Sequence, residues 1–434
     1  MTDERLKSLM GQHIRQSLGY LGGQISDDRR QAWDYYYGEG FGSEVEGRSQ
    51  VVLHDVADTI EWVMPSLMRI FTQNDSMVRF DPRQQNDEPF AEQATELVNY
   101  IFTQQLNGFM LLYDVFKDAL LQKTGVIKSW WDDSVETETL TYGGIDQLEI
   151  EQIMADGNVE VDKIEPVGET PEGVPLADVT FTRTLSKGRI TSIVVAPDEF
   201  LISKRAVNLE EAPFVAHRTK KTVSELLEMG YPEDKLMRLT TEAGYEWNQE
   251  RTARWDVDED SWSRDTTTDP SMKEVWIHEC YPLVDWDGDG KAELRRIIVG
   301  GDQPYEVLEN EPCDERPFDA ICPIPMPHKF YGRSLADTVM DLQQIRSTLL
   351  RQVIDNAYLQ NNSRWAMWDG EVELDDMLYQ RAGGVVRTNR NPQEALMPLV
   401  TPSLNNQIFP IIEYMEDVRA GRTGITRYNQ GLDA

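Results

Sequence analysis

The chain has 434 residues, 40% of them hydrophobic and 27% charged, with 76 acidic side chains against 42 basic ones and a formal net charge of −34. That length suits about three domains with a substantial core, and the balance excludes a disordered chain. With no basic excess to displace counterions, the surface as a whole is not built to hold nucleic acid by its phosphates, so any DNA contact is local or non-adhesive.

Three cysteines, Cys280, Cys313 and Cys322, are too few and too odd for a disulfide framework and suit a reducing compartment. The start, MTDERLKSLMGQHIRQSLGY, carries charges throughout, unlike a signal peptide. No run approaches the roughly 18 uncharged apolar residues of a membrane span.

In chain order, residues 3–36 read as polar helix with Leu6, Leu9, Met10 and Ile14 on one face, broken by the glycine-rich YGEGFGSEVEGRSQ. A second helix starts at Asp55, a candidate cap, with Val56, Ile60, Val63, Leu67, Ile70 and Phe71 as its apolar face and Pro65 as a kink or restart. Helices near 89–106 and 110–122 follow. At Gly125 the period shortens to that of strands: GVIKSWWDD, ETETLTY, NVEVDKIEPV, ADVTFTRT and RITSIVV, with a short helix in IDQLEIEQIMADG and a hairpin turn at Ser186-Lys187-Gly188. TVSELLEMGYPEDKLMRLT gives a helix and a half capped by Thr222 or Ser224. Residues 242–271 read as an acidic surface loop or linker. An antiparallel unit follows, VWIHECYPLV, LRRIIVGG and PYEVLEN, with a turn at DWDGDGKAE.

The longest uninterrupted helical pattern is 331–362. Ser334 and Asp337 have capping-box spacing, and Leu335, Val339, Leu342, Ile345, Leu349 and Val353 recur at three-to-four spacing. Asp337, Asp341, Gln344, Arg351 and Asp355 fall on the opposite face. A core helix or a strut at an interface both fit this pattern. Beyond it lie a strand in SRWAMWDG, a short acidic helix in VELDDMLYQ, a strand in GGVVRTN and a last helix in LNNQIFPIIEYMEDVRAG.

The sharpest chemical motif is Asp285-x-Asp287-x-Asp289-Gly290, the front of a calcium loop, with Glu293 as a further ligand candidate. The twelfth position is Arg296 where an EF-hand needs glutamate, and the flanks read as strands. A hairpin turn in which Gly288 and Gly290 take positive φ explains the same residues. His278, Cys280, Cys313, Cys322 and His328 lack the short paired spacing of a zinc site and read as buried or isolated side chains. No phosphate loop, G-x-S-x-G elbow or triad pattern is present. Read residue by residue, this is an acidic mixed helix-and-strand protein with no catalytic signature.

Several stretches taken together resemble the portal proteins of tailed bacteriophages with podovirus-like heads. They are DTIEWVMPSLMRIFTQNDSMVRFDP, KDALLQKTGVIKSWWDD, ITSIVVAPDEFLIS, DWDGDGKAELR, HKFYGRSLADTVMDLQQIRSTLLRQVIDNAYLQNN, RAGGVVR and TGITRYNQGLDA, in the family's order. The resemblance implies an α+β, portal-type fold with an α/β wing, long stem helices and a small β-containing clip. It implies a homo-oligomeric ring of usually about twelve subunits at one capsid vertex of the virion, assembled in the host cytoplasm. Double-stranded DNA passes its channel during packaging and ejection. The partners implied are the terminase large subunit, a tail adaptor protein and the major capsid protein, with no membrane, no catalytic residue and no cofactor beyond a possible structural Ca2+ at Asp285, Asp287, Asp289 and Glu293.

On this sequence the resemblance places wing at 1–205, a helix and acidic loop at 206–271, a clip-like β unit at 272–330, the stem helix at 331–362 and more wing at 363–434, with a crown or barrel absent or trimmed. Channel and tunnel-loop candidates are Asp337, Asp341, Arg351, Asp355, Asn361, Asn362 and Arg364. Contacts between copies fall to Leu335, Val339, Leu342, Leu349 and Val353. Two other classes stand beside it: a metal-dependent phosphoesterase or nuclease using the acidic clusters, and a calcium-stabilised capsid or head-completion protein.

Overall fold

The computed structural model describes residues 1–73, 76–84, 87–133, 137–155, 158–169, 175–184, 188–239, 250, 253–254, 270–301, 305–362, 364–379, 383–402 and 408–425. Helix α1 (Asp3–Tyr20) places Leu6, Met10 and Ile14 on one stripe, and all three are fully buried. A π-helical turn, Leu21–Ile25, joins it to α2 (Ser26–Tyr37), which Gly38 ends in the left-handed conformation at φ 75°. The glycine-rich stretch after it forms no helix or strand up to residue 54.

Helix α3 (Asp55–Thr72) runs unbroken through Pro65. The missing N–H removes one rung, but Ile60, Met64 and Met68 are buried on both sides of it and hold the helix in line. The apolar face sits one step away from the expected one: Met64 and Met68 are buried, while Ile70 and Phe71 are exposed. Helix α4 (Glu88–Tyr100) buries no residue. Helix α5 (Gly108–Gln122) packs with α2, α3 and the long helix around Trp33, Val56, Ile60, Val115, Leu121 and Val339.

Strand β1 (Gly125–Asp132) follows α5 so closely that a Cβ on Gly125 would lie 2.1 Å from the Val115 carbonyl oxygen. Strands β2 (Thr137–Ile145), β3 (Val159–Glu169) and β4 (Pro175–Thr184) form a separate sheet in the order β2-β4-β3, flanked by α6 (Gln147–Met154). The hairpin expected at Ser186-Lys187-Gly188 does not join its flanking strands. β4 stays in this sheet, while β5 (Arg189–Val195) pairs with β1 over seven registered positions; residues 185–187 lie outside the described set. A local turn signal yields here to the longer ladder that β1 offers.

The main sheet has five antiparallel strands in the order β10-β9-β8-β7-β6, from β6 (Phe200–Ile202), β7 (Phe214–Thr222), β8 (Glu274–Val284), β9 (Glu293–Gly300) and β10 (Glu306–Pro312). Thr222 and Glu225 form the expected capping box of α7 (Val223–Glu228), and α8 (Glu233–Leu236) follows. The β unit at 272–330 is therefore continuous with β6 and β7, and it shares its core with α1 through Cys280, Ile297 and Val299. Strand β11 (Phe318–Ile321) adds to the other edge of β1. Most of the acidic 242–271 segment lies outside the described residues.

The long helix, α9, spans Ala336–Asn361. Strand β12 (Arg364–Met367) follows, then α10 (Leu374–Leu378), α11 (Pro392–Ala395), β13 (Leu396–Leu399) and α12 (Ile408–Thr423). GGVVRTN, expected as a strand, makes a single bridge at Thr388 to Val372; β12 pairs instead with β13, an edge strand that tolerates Pro398.

The close approach at Gly125 makes Gly125→Ala an overpacking change against backbone. It is expected to destabilise the fold by about 1–3 kcal/mol, read from the midpoint of urea unfolding.

Candidate functional site along the long helix

The start of α9 is built as its sequence dictates. The Ser334 hydroxyl accepts from the Asp337 N–H at 3.0 Å, and the Asp337 carboxylate accepts from the Ser334 N–H at 2.8 Å. Asp337 also receives the Lys123 ammonium at 2.9 Å, which reaches Asp28 as well. Three elements thus meet at one cation.

Further along, the buried face changes character. After Ala336, Val339 and Leu342 it continues as Gln343, Ser347 and Arg351, all buried at a spacing of four. Each bonds the chain on its way from Tyr35 to Val56. Gln343 donates to the Tyr35 carbonyl and accepts from Val56 N–H, Ser347 accepts from Leu53 N–H, and Arg351 donates to the Val51 carbonyl at 2.8 Å and pairs with Glu44. One turn on, Asp355 accepts from Ser49 N–H at 2.7 Å. A stretch without helix or strand has unpaired backbone groups, and a polar helix face is what satisfies them.

A second knot ties α9 to α3 and α12. Asp55 is not a cap. It is buried in the first turn of α3, where Arg346 and Arg419 both donate to its carboxylate, and Glu416 pairs with both arginines. Arg419 also lies 4.7 Å over the Trp62 ring. On the outer side Arg422 of α12 holds the Asp341 carboxylate at 2.7 Å.

The channel candidates are thus placed as follows. Asp337, Arg351 and Asp355 are engaged inside the chain, Asp341 is half exposed in its pair with Arg422, and Asn361, Asn362 and Arg364 are exposed. Of the residues assigned to contacts between copies, Val339 and Leu342 are buried within the single chain, and Leu335, Leu349 and Val353 are half-buried. The apolar residues that α9 does show to solvent are Ile345, Ile354, Tyr358 and Leu359. The sequence reading missed Gln343 and Ser347; their i, i+4 repeat with Arg351 and Asp355 marks one face of the helix but not that this face is buried.

At the β8–β9 turn, one carboxylate oxygen from each of Asp285, Asp287 and Asp289 lies within 4.8 Å of the others. The same groups accept loop N–H bonds: Asp285 from Gly288 and Gly290, Asp287 from Asp289, Asp289 from Lys291. Gly288 and Gly290 have φ near +89° and +86°, as the tight turn requires. Glu293 starts β9 and lies beside Arg295 at 3.6 Å. The His and Cys side chains of 278–328 form no such group among the described residues. Burial pushes His278 down to about 3, so it is neutral, and Cys280 is fully buried.

In the main sheet, burial alone would raise the Glu279 carboxyl. Lys128, Tyr281 and Arg296 outweigh it and hold the group down at about 2. Here Lys128 joins the β1 sheet to the five-stranded one.

A family model described as Phage SU10 portal protein matches residues 6–434. No curated protein matches the chain.

Two outcomes follow from the ion pairs. Asp55→Asn removes the buried charge between Arg346 and Arg419 and is expected to cost about 3 kcal/mol in urea unfolding, with faster amide exchange across 408–423. Glu279→Gln is expected to lower stability at pH 7 by roughly 3 kcal/mol. A carboxyl depressed from 4.5 to about 2 stabilises the fold above its unfolded value and loses that contribution as pH falls. The gap between Glu279→Gln and the parent chain should therefore narrow steadily in melts taken below pH 4.5.

Proposed function

Because the chain belongs to the Phage SU10 portal protein family, we propose that it is one subunit of a ring at a single capsid vertex, whose channel passes double-stranded DNA during packaging and ejection. The observation that carries this reading is the family match, which spans all but the first five residues. Portal proteins are structural, and in this role the ring is also the platform for the terminase large subunit, a tail adaptor and the surrounding major capsid protein.

The fold supports the reading in two ways. Helices α9 and α12 pack side by side and are fastened through Asp55, Arg346, Arg419 and the Asp341–Arg422 pair, which suits a stiff stem element. The charge of −34 suits a conduit. Carboxylates facing a channel repel phosphates, so DNA slides without being held. Of the channel candidates on this helix and its C-terminal end, Asp341, Asn361 and Asn362 are exposed and would face it. The five-stranded sheet, with α1 packed on it, belongs with the body in this reading rather than with a separate clip.

The test is the full chain in solution. Particle mass and negative-stain images are expected to show closed rings with a central opening, and symmetry counting gives the subunit number. Uniform monomers under every assembly condition would sink the proposal. Duplex DNA at physiological salt is expected to bind the rings no more tightly than about 10⁻⁴ M, the weak end of non-specific binding, in a fluorescence-anisotropy titration.

A further inference from the structure

We propose that the region 364–402 is covered, in the assembled ring, by the same region of a neighbouring copy of this chain. The proposal rests on the portal reading and names a surface through which copies meet.

This region has almost no core. Among its described residues only Val372 and Ala395 are buried. Trp368 is 64% exposed, Tyr379 79% and Val400 83%, and Trp365, Leu378 and Met397 are exposed as well. Its one sheet, β12 with β13, has four registered pairs. Each strand has a single partner among the described residues, so each leaves an open edge. A lone two-stranded ribbon is marginal in water, and apolar surface on this scale marks a contact. The region is fastened to α9 through Asn356 and Gln360, which donate to the Pro402 carbonyl.

Charge selects the occupant. Two chains of −34 repel, so they meet most readily where carboxylates are missing. The strands Arg364-Trp365-Ala366-Met367 and Leu396-Met397-Pro398-Leu399 contain none, nor does the continuation to Pro402. Arg364 is exposed and has no ion-pair partner among the described residues. Asp369 and Asp375, near α10, are likewise exposed and without one among the described residues. The region thus offers a cation at its strands and carboxylates beside its helix. That polarity suits head-to-tail contact, the kind that closes a ring, better than a face-to-face pair.

The experiment uses the full chain with Trp365→Ser and Leu399→Asp together. Both positions are exposed, so circular dichroism and melting of the isolated subunit should stay as in the parent. The concentration needed for ring assembly, read by light scattering and negative stain, should rise at least tenfold. Hydroxyl-radical footprinting of the parent chain provides the second measure: Trp365, Trp368 and Met397 should be protected in rings and reactive in dilute subunits. Rings of the double variant at parental concentrations, or equal reactivity of these side chains in rings and subunits, overturn the proposal and leave the portal reading standing; the first of these outcomes assigns the face to another protein. A parent chain that never forms rings removes both.

Discussion

The structure depends on a polar seam: the buried face of α9 against the chain that runs from Tyr35 to Val56. That chain has no ladder of its own over residues 38–54, and Gln343, Ser347, Arg351 and Asp355 supply the missing bonds. Each is worth about 1 kcal/mol net when made, but a lost partner leaves a buried backbone group unpaired at a greater cost. The seam sets the line of the segment, hence the position of Asp55, and Asp55 in turn collects Arg346 and Arg419. The body and the final helix are thereby referred to one face of one helix.

The seam also shows where sequence reading stops. The Ser334–Asp337 cap and the Leu6, Met10, Ile14 stripe were legible because each is decided within one helical turn or one helix face. The polar face was not, because its partners lie about 300 residues away and present backbone rather than side chains. Pattern reading assigns Gln, Ser, Arg and Asp to solvent unless something outside the helix needs them. The same limit explains Asp55, whose two arginines come from distant helices, and β5, whose partner was set by register with β1. The tight turn at Asp285–Gly290 was legible, since its glycines and carboxylates are local. Of the candidate positions, Asn361 and Asn362 are exposed as the polar helix end suggested, whereas Val339 and Leu342 of the apolar stripe are buried within the chain itself.

The same logic separates the parts of the surface. The buried ion pair of Glu279 with Lys128 joins the β1 sheet to the five-stranded sheet and stiffens that body. The three-stranded sheet β2-β4-β3 has its own small centre at Val179 and Phe181. Among the described residues of 364–402 only Val372 and Ala395 are buried, so that region has no comparable centre there. A stiff body and a helix pair fastened by ion pairs suit the subunit role proposed above.

The docking of α1 carries a kinetic consequence. The Met1 amino group donates to the Trp286 carbonyl, and Lys7 pairs with Glu306 at 2.5 Å, contacts that span 285 and 299 residues. Helix α1 is therefore synthesised well before the strands β8 to β10 that it docks on. At ordinary synthesis rates that interval is on the order of tens of seconds. Throughout it part of the surface that finally buries Leu6, Met10 and Ile14 is missing, so this stripe stays partly open to water until β8 and β9 are made.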